Sequence, residues 1–328
     1  MRALLNWYDA KKRDLPWRRT NDPYAIWVSE IMLQQTQVAT VLPYYARWME
    51  RFPTAESLSQ ADDQDTLSYW QGLGYYRRCR LLLAGVRHVR KHGMPSTEAD
   101  WRKVPGVGRY TAGALASIAN GQPAPVVDGN VERVFARYTG SELSDKELTS
   151  ACWKWAADVL HQDRPGDWNQ ALMELGATIC KPAKPDCEKC PLRDACIAKR
   201  DGLQASLPKP KQRPIVVRLE ESVWIPYHQG RFGLRQIPEG RWWHGMWEFP
   251  KDLEGLAGGE TQHAGLVKYQ VTNHRIHMNA YLHRSAVPTS SLKWADEKEL
   301  AKLPIPAPQR RALALAKARL AAPSLFIE

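Results

Sequence analysis

Glu30, Asp128 and a bunched set of four cysteines carry the reactive side chains of this 328-residue chain. Glu30 sits in an apolar helical pattern, with Ile26, Trp27 and Leu33 at i−4, i−3 and i+3 and Gln34 at i+4. A carboxyl on such a face loses hydration, and its pKa rises towards what a general acid needs near neutral pH. The same spacing also fits a glutamate reaching out from the edge of a core, and spacing alone leaves both readings open. Asp128 closes the apolar run 124–127 and precedes a helical stretch, NVERVFARY. That is the place of an N-cap, and a capping carboxylate that stays ionised can also face a cleft.

Cys180, Cys187, Cys190 and Cys196 are separated by six, two and five residues. Two CxxC pairs about 15–20 residues apart would suggest a zinc ribbon, and the chain has no such pairs. One compact four-cysteine loop suits a [4Fe–4S] cluster better. Lys181, Lys184 and Lys189 lie in this loop and Arg193 follows Cys190, so we expect a structural cluster that presents cations to phosphate. Bunched thiols read as a metal site in a reducing compartment, and Cys79 and Cys152 as buried core thiols.

A Pro-Gly-Val-Gly turn at 105–108 sits between helical patterns over 97–118. Gly106 and Gly108 allow positive φ there, and the N–H groups that start the next helix form a phosphate site. A plain helix–helix connection is the alternative. The stretch 77–103 tips the balance, with eight Lys/Arg against two acids. Net charge is +11 and the pI about 9.4, which points to a polyanion, nucleic acid before membrane. The first residues do not read as a signal peptide and no apolar run is long enough to span a membrane. We therefore expect an intracellular protein, cytoplasmic and, in a prokaryote, nucleoid-associated.

The elements that must hold these groups are helices in the first part of the chain. Residues 1–20 read as one amphipathic helix stopped by Leu15-Pro16, and Asp22-Pro23 is a strong start signal for a helix over 24–36. Further helical periods cover 41–52, 62–71 and 75–92. Residues 201–214 form a linker rich in proline and lysine. Strand patterns follow at 215–227, 231–237, 246–250 and 277–287, then a helix at 308–321. The expected organisation is an all-α domain over 1–200, the linker, and a smaller α+β domain over 215–328.

The motifs SEIMLQQTQVATV, GLGYYRRCR, VPGVGRYTAGA, VVDGNVERV, ALMELGA and the cysteine loop at 180–196 together resemble the MutY-type adenine DNA glycosylases. These are helix-hairpin-helix base-excision enzymes with an iron–sulfur cluster and a Nudix-like C-terminal domain, which RWWHGMWEFP resembles more loosely. The resemblance implies a monofunctional glycosylase acting on double-stranded DNA that carries adenine mispaired with 8-oxoguanine or guanine, with a monomer as the expected form. Glu30 would protonate the adenine ring and help activate water, and Asp128 would stabilise the oxocarbenium sugar. Tyr110 and Asn130 would orient those groups, and Glu174 would support protonation from the far side of the pocket. Gln34, Gln35 and Tyr75 would fill or brace the gap left in the base stack, and the Gly106–Gly108 turn would hold phosphate. The endonuclease III branch has a lysine where this chain has Tyr110, so no Schiff base is expected.

The chain departs from the family in its second domain. Thr272-Asn273-His274 stands where the family reads 8-oxoguanine with Phe-Ser-His, so the aromatic is lost, and discrimination of 8-oxoguanine from guanine would be weaker or made by neighbours such as Arg275 or His277. No Nudix hydrolase box occurs after residue 215, which makes this a reading domain without nucleotide hydrolysis. Two other functions compete, a mismatch thymine glycosylase and a catalytically idle iron–sulfur DNA-binding or redox-sensing protein. The presence of Glu30 argues against the first and the intact pair of acids against the second.

Overall fold

The computed structural model describes residues 2–210, 215–252, 256 and 258–321. The chain divides into two compact units, Met1–Gln60 with Leu81–Gln212, and Ala61–Arg80 with Arg213–Glu328.

The described residues of the first unit carry helices and no strand. Its central helix, Pro23–Leu33, starts as the sequence predicts, with the Asp22 side chain accepting from the Tyr24 N–H at 3.0 Å and proline in the first turn. Every side chain from Tyr24 to Met32 is buried, as expected for a helix apolar on all faces. It stops at Leu33, short of the expected 36, because Gln34 leaves the helical region and Gln35 takes φ +57°. The single helix expected over 1–20 is corrected. A helix over Arg2–Lys11 is followed by a separate short turn, Pro16–Arg18. Leu15 is extended (φ −121°, ψ 140°), the conformation that the following proline imposes.

A second set of helices, Gly129–Thr139, Asp145–Asp158 and Pro165–Thr178, packs with the first helix around Leu4, Val131, Val134, Leu148, Trp168 and Leu172, all buried. Gly176 lets two of these helices approach closely, since a Cβ there would lie 2.5 Å from the Cβ of Asn130. This packing fixes Asp128 and Asn130 against the helix that carries Glu174.

The second unit is a mixed six-stranded sheet with β1 Val217–His228, β2 Arg231–Gln236, β3 Trp247–Glu248, β4 Gly259–Val271, β5 His274–Ser285 and β6 Lys293–Ala295. The order is β3-β2-β1-β5-β4 with β6 paired to β2. β1 and β5 run parallel and the other pairs antiparallel. Alternate residues of β5 (Ile276, Met278, Ala280, Leu282) face a core closed by Ala312, Leu313 and Ala316 of the helix Ala307–Ala321. Most of β4 and all of β6 were not foreseen, since GETQHAGLVKYQV buries few of its side chains.

The segment Ala61–Arg80 belongs to this unit. Gln64 Nε2 donates to the Gly245 carbonyl at 2.8 Å and its Oε1 accepts from Trp247 Nε1 at 3.0 Å. Arg80 donates to the His244 carbonyl, and Arg310 to Gln71 Oε1 at 3.3 Å. Lys211 to Pro214, the end of the expected linker, lie outside the described residues. Its beginning is not loose, because Leu207 is buried and its carbonyl accepts from Arg137 Nε at 2.8 Å. Among the described residues no helix is long and apolar enough to cross a membrane.

Candidate active site and cysteine pocket

Glu30 occupies the buried helix Pro23–Leu33 and is 7% exposed. Tyr110, on the helix Arg109–Ala114 that follows the glycine turn, donates its hydroxyl to Glu30 Oε2 at 2.8 Å. The Met173 sulfur lies 3.4 Å from the same hydroxyl. Burial pushes the Glu30 carboxyl up to about 7, and the charge of Asp128 adds to that. The Tyr110 hydrogen bond and the positive charge of Arg18 pull the other way. The tyrosine hydroxyl is itself raised well above 10, first by burial and then by Glu30 and Asp128. It therefore stays protonated and acts as a donor.

Asp128 caps the helix Gly129–Thr139. Its Oδ1 accepts from the N–H groups of Asn130 (2.9 Å) and Val131 (2.8 Å), and its Oδ2 from Asn130 Nδ2 at 2.8 Å. Burial raises this carboxyl too, against those three donors and Arg133. Arg133 in turn donates to Asn130 Oδ1 at 2.8 Å, which fixes the amide. Both carboxyls are raised by burial, but Asp128 has three donors against it and Glu30 one, so hydrogen bonding supports ionisation more strongly at Asp128 than at Glu30.

Glu30, Tyr110, Asp128 and Asn130 are therefore assembled into one electrostatically coupled group. Glu174 is engaged differently. It is 1% exposed, and Arg13 grips it at 2.7 Å on both oxygens while Arg18 reaches Oε2 at 2.9 Å. Burial would raise its carboxyl, but the two arginines outweigh burial and hold it down at about 2. It is an ionised clamp at neutral pH, and Arg18 links it to the electrostatics of Glu30. Neither Arg13 nor Arg18 stood out in the sequence, because their partner lies more than 150 positions away.

Gln34 Nε2 approaches Thr111 Oγ1 at 3.4 Å, beside Tyr110 in sequence. In the glycine turn, Gly106 has φ +81° and a Cβ there would lie 2.6 Å from Leu81 Cβ. Gly108 departs from expectation. It has φ −87° and serves as the uncapped start of the helix, so its value there is not a left-handed backbone. In the second unit Tyr75 has φ +48° and is 52% exposed. Thr272 and Asn273 form the turn between β4 and β5, Thr272 at φ +52°, with Asn273 Nδ2 bonded to the Ile215 carbonyl at 2.7 Å.

Cys180, Cys187, Cys190 and Cys196 line one pocket, together with Arg137, Ile179 and Gln204. Among the described residues no three His, Cys, Asp or Glu side chains stand at the spacing of one metal ion. Four thiols around one pocket fit a polynuclear centre in donor type and number. The helix capped by Asp128 also secures this loop. Arg133 Nε donates to the Cys180 carbonyl at 2.7 Å, and Arg137 to the carbonyls of Lys181 and Pro182 at 2.8 Å each. Arg137 is buried. Two arginines at i and i+4, flanking the apolar run 134–136, were the available sequence signal, since a buried guanidinium must find acceptors. Cys79 and Cys152 are buried in the cores, as expected.

The fold and site define a helix-hairpin-helix glycosylase domain followed by a Nudix-like domain. Residues 28–158 match the model of the HhH-GPD superfamily of base excision DNA repair proteins, and 222–315 that of the NUDIX domain. The chain is 29% identical to a solved thermostable thymine-DNA glycosylase, with a TM-score of 0.55 over 61% of this chain and 94% of that one. It is 49% identical over 219 residues to the adenine DNA glycosylase of Homo sapiens, covering 62% of this chain and 40% of that protein. It is 34% identical over 255 residues to that of Buchnera aphidicola subsp. Schizaphis graminum, covering 75% of this chain and 73% of the relative. The chain belongs to the adenine DNA glycosylase family. It spans less than half the length of the human and Arabidopsis thaliana relatives, 40% and 46%.

Proposed function

We propose that the protein is a monofunctional DNA glycosylase that removes adenine mispaired with 8-oxoguanine or guanine. The observation that carries this reading is the pair of electrostatically coupled acids with unequal hydrogen-bond support, Glu30 buried under one donor and Asp128 under three. Adenine leaves poorly until a ring nitrogen is protonated, so a carboxyl still protonated near pH 7 supplies the proton as the glycosidic electron pair moves onto the base. The sugar becomes an oxocarbenium cation, which the Asp128 carboxylate stabilises. Glu30, now ionised, takes the proton of the water that adds to the sugar carbon, and an abasic site remains. Tyr110 holds the Glu30 carboxyl, while Asn130 and Arg133 hold Asp128.

A duplex hides the bond, so adenine must be extruded at a cost of about a few kcal/mol. The turn at Gly106, the uncapped helix start at Gly108 and the basic stretch 77–103 offset that cost by binding phosphate. Gln34, Gln35 and Tyr75 brace the opened stack, and Thr272, Asn273 and His274 contact the opposite strand. Cys180, Cys187, Cys190 and Cys196 would hold a [4Fe–4S] cluster. Once bound, it supplies a cross-link that orders the basic loop, with redox capacity besides.

The test is product analysis on duplexes with adenine opposite 8-oxoguanine. Free adenine, an intact strand that breaks only under alkali, and no borohydride-trapped adduct are expected. Thymine release from G:T duplexes in place of adenine would favour the thymine reading that the 29%-identical structural relative raises. No base release at all would leave a DNA-binding protein.

A further inference from the structure

The sheet of the second unit is covered unequally on its two faces. The helix Ala307–Ala321 packs on the face that holds Val223, Ile225, Met278, Ala280 and Leu282. Among the described residues no second helix packs broadly on the other face of β1, β5 and β4. Parallel strands are normally covered on both faces, and β1 and β5 run parallel through the middle of this sheet. Towards β2 the second face is closed, since a Cβ on Gly233 would lie 2.8 Å from Leu292 and 3.3 Å from Trp294. Over the rest of β1, β5 and β4 its side chains reach solvent, Leu266 of β4 with 45% of its surface exposed.

This open part carries rings and cations in separate places. Trp224 and Tyr281, both half-buried, stand abreast on β1 and β5 with ring centres 5.5 Å apart and planes 17° apart. Exposed His263 of β4 meets Tyr281 edge-on at 5.3 Å. A short stack that reaches solvent is extended by any unpaired base, because every base has a π-face. Exposed Arg218 and Arg275 stand abreast on the same face, six residues before Trp224 and Tyr281 in each strand. At about 3.3 Å per residue that is about 20 Å from the rings. Exposed Lys268 of β4 lies between, in register with His277. Like charges abreast on a sheet repel, and a phosphate between the arginines relieves the repulsion. Glu220 is the one acid that these three strands place on this face, and His277 meets it at 3.1 Å. Rings beside unopposed cations suit a polyanion whose bases are free to stack. A duplex would offer this face only its phosphates.

We propose that this open sheet face binds single-stranded DNA, with bases stacking on Trp224 and Tyr281 and phosphates meeting Arg218, Arg275 and Lys268. The site lies on the second unit and needs no mispaired adenine, so it goes beyond the excision chemistry of Glu30 and Asp128. It gives the protein a hold on unpaired strand whatever base the other unit removes.

The test measures binding of the full chain to a labelled oligothymidylate, which has no adenine for Glu30 to act on, and to a matched duplex over a range of salt. Trp224→Ala should weaken single-strand binding about ten-fold, with Trp224→Phe retaining most of it and duplex binding little changed. Arg218→Gln combined with Lys268→Gln removes two phosphate contacts, so the salt slope on the single strand should fall by about 1.4. Equal losses on single strand and duplex, or no loss in either variant, would overturn the proposal. So would a dimer in sedimentation that Trp224→Ala dissociates, which would give the face to a second copy of the chain. Should alanine loosen the sheet, photo-crosslinking of the wild-type protein to a single strand carrying 5-iodouracil decides. An adduct on Trp224 or Tyr281 is expected, and adducts confined to other residues would contradict the proposal.

Discussion

Replacing Glu30 by glutamine should stabilise the protein, and more so as the pH rises. The Glu30 carboxyl titrates near its ordinary 4.5 in the unfolded chain and near 7 in the folded one, where burial resists its charge. Because the folded value is raised, the native state has its full stability below about 4.5 and loses it as the pH rises through about 7. At about 1.4 kcal/mol per factor of ten, the penalty is on the order of 1 kcal/mol at pH 5 and about 3 kcal/mol at pH 8. Glutamine carries no charge and can still accept from Tyr110, so it removes this pH-dependent cost. The cost of burying its amide is the same at both pH values and cancels in the difference. Urea unfolding of both proteins at pH 5 and pH 8 should give a gain for Glu30→Gln that is about 2 kcal/mol larger at pH 8. In a unit of this size that corresponds to roughly 4–8 °C in Tm. A difference independent of pH would show that Glu30 is not a strained acid, and the argument for its protonation would fall.

Three further outcomes follow from the same contacts. Tyr110→Phe removes a hydrogen bond that favours the Glu30 carboxylate, so the alkaline limb of the rate profile should move up by about one pH unit, read by single-turnover kinetics between pH 6 and 9. Asp128→Asn should lower the rate on the order of 100-fold or more while DNA affinity stays within a few-fold. Asparagine caps a helix as well as aspartate does, so Tm should change little. Arg137→Met takes away the donors that hold the carbonyls of Lys181, Pro182 and Leu207; it should lower the visible absorbance and iron content of protein purified without air and cost about 3 kcal/mol or more of stability. Full iron content in that variant would separate the arginine from the cysteine pocket.

Local signals were legible in the sequence wherever cause and effect lie within one helical turn. Asp22-Pro23 starts its helix and Asp128 caps another because both act on backbone groups two or three residues away. Glu30 was ambiguous from spacing, since its burial depends on side chains contributed by distant helices. That Glu174 is held ionised was not legible for the same reason: its charge is set by Arg13 and Arg18, which only the fold brings to it. The place of Ala61–Arg80 in the second unit depends on Gln64, Arg80 and Gln71 meeting residues more than 160 positions away, which no periodicity encodes. Gly108 shows the limit of reading glycine as positive φ, because a helix start needs only an extended residue.

The measurement that bears most directly on the proposed acid is the pH dependence of single-turnover adenine release from an A:8-oxoguanine duplex, with Glu30→Gln alongside. A protonated Glu30 with its pKa near 7 requires a rate that falls about ten-fold per pH unit above the bend, with a second fall on the acid side where Asp128 takes up a proton, and Glu30→Gln slower by orders of magnitude near neutral pH. A wild-type rate that stays level to pH 9, or a glutamine variant that keeps the wild-type rate, would contradict it.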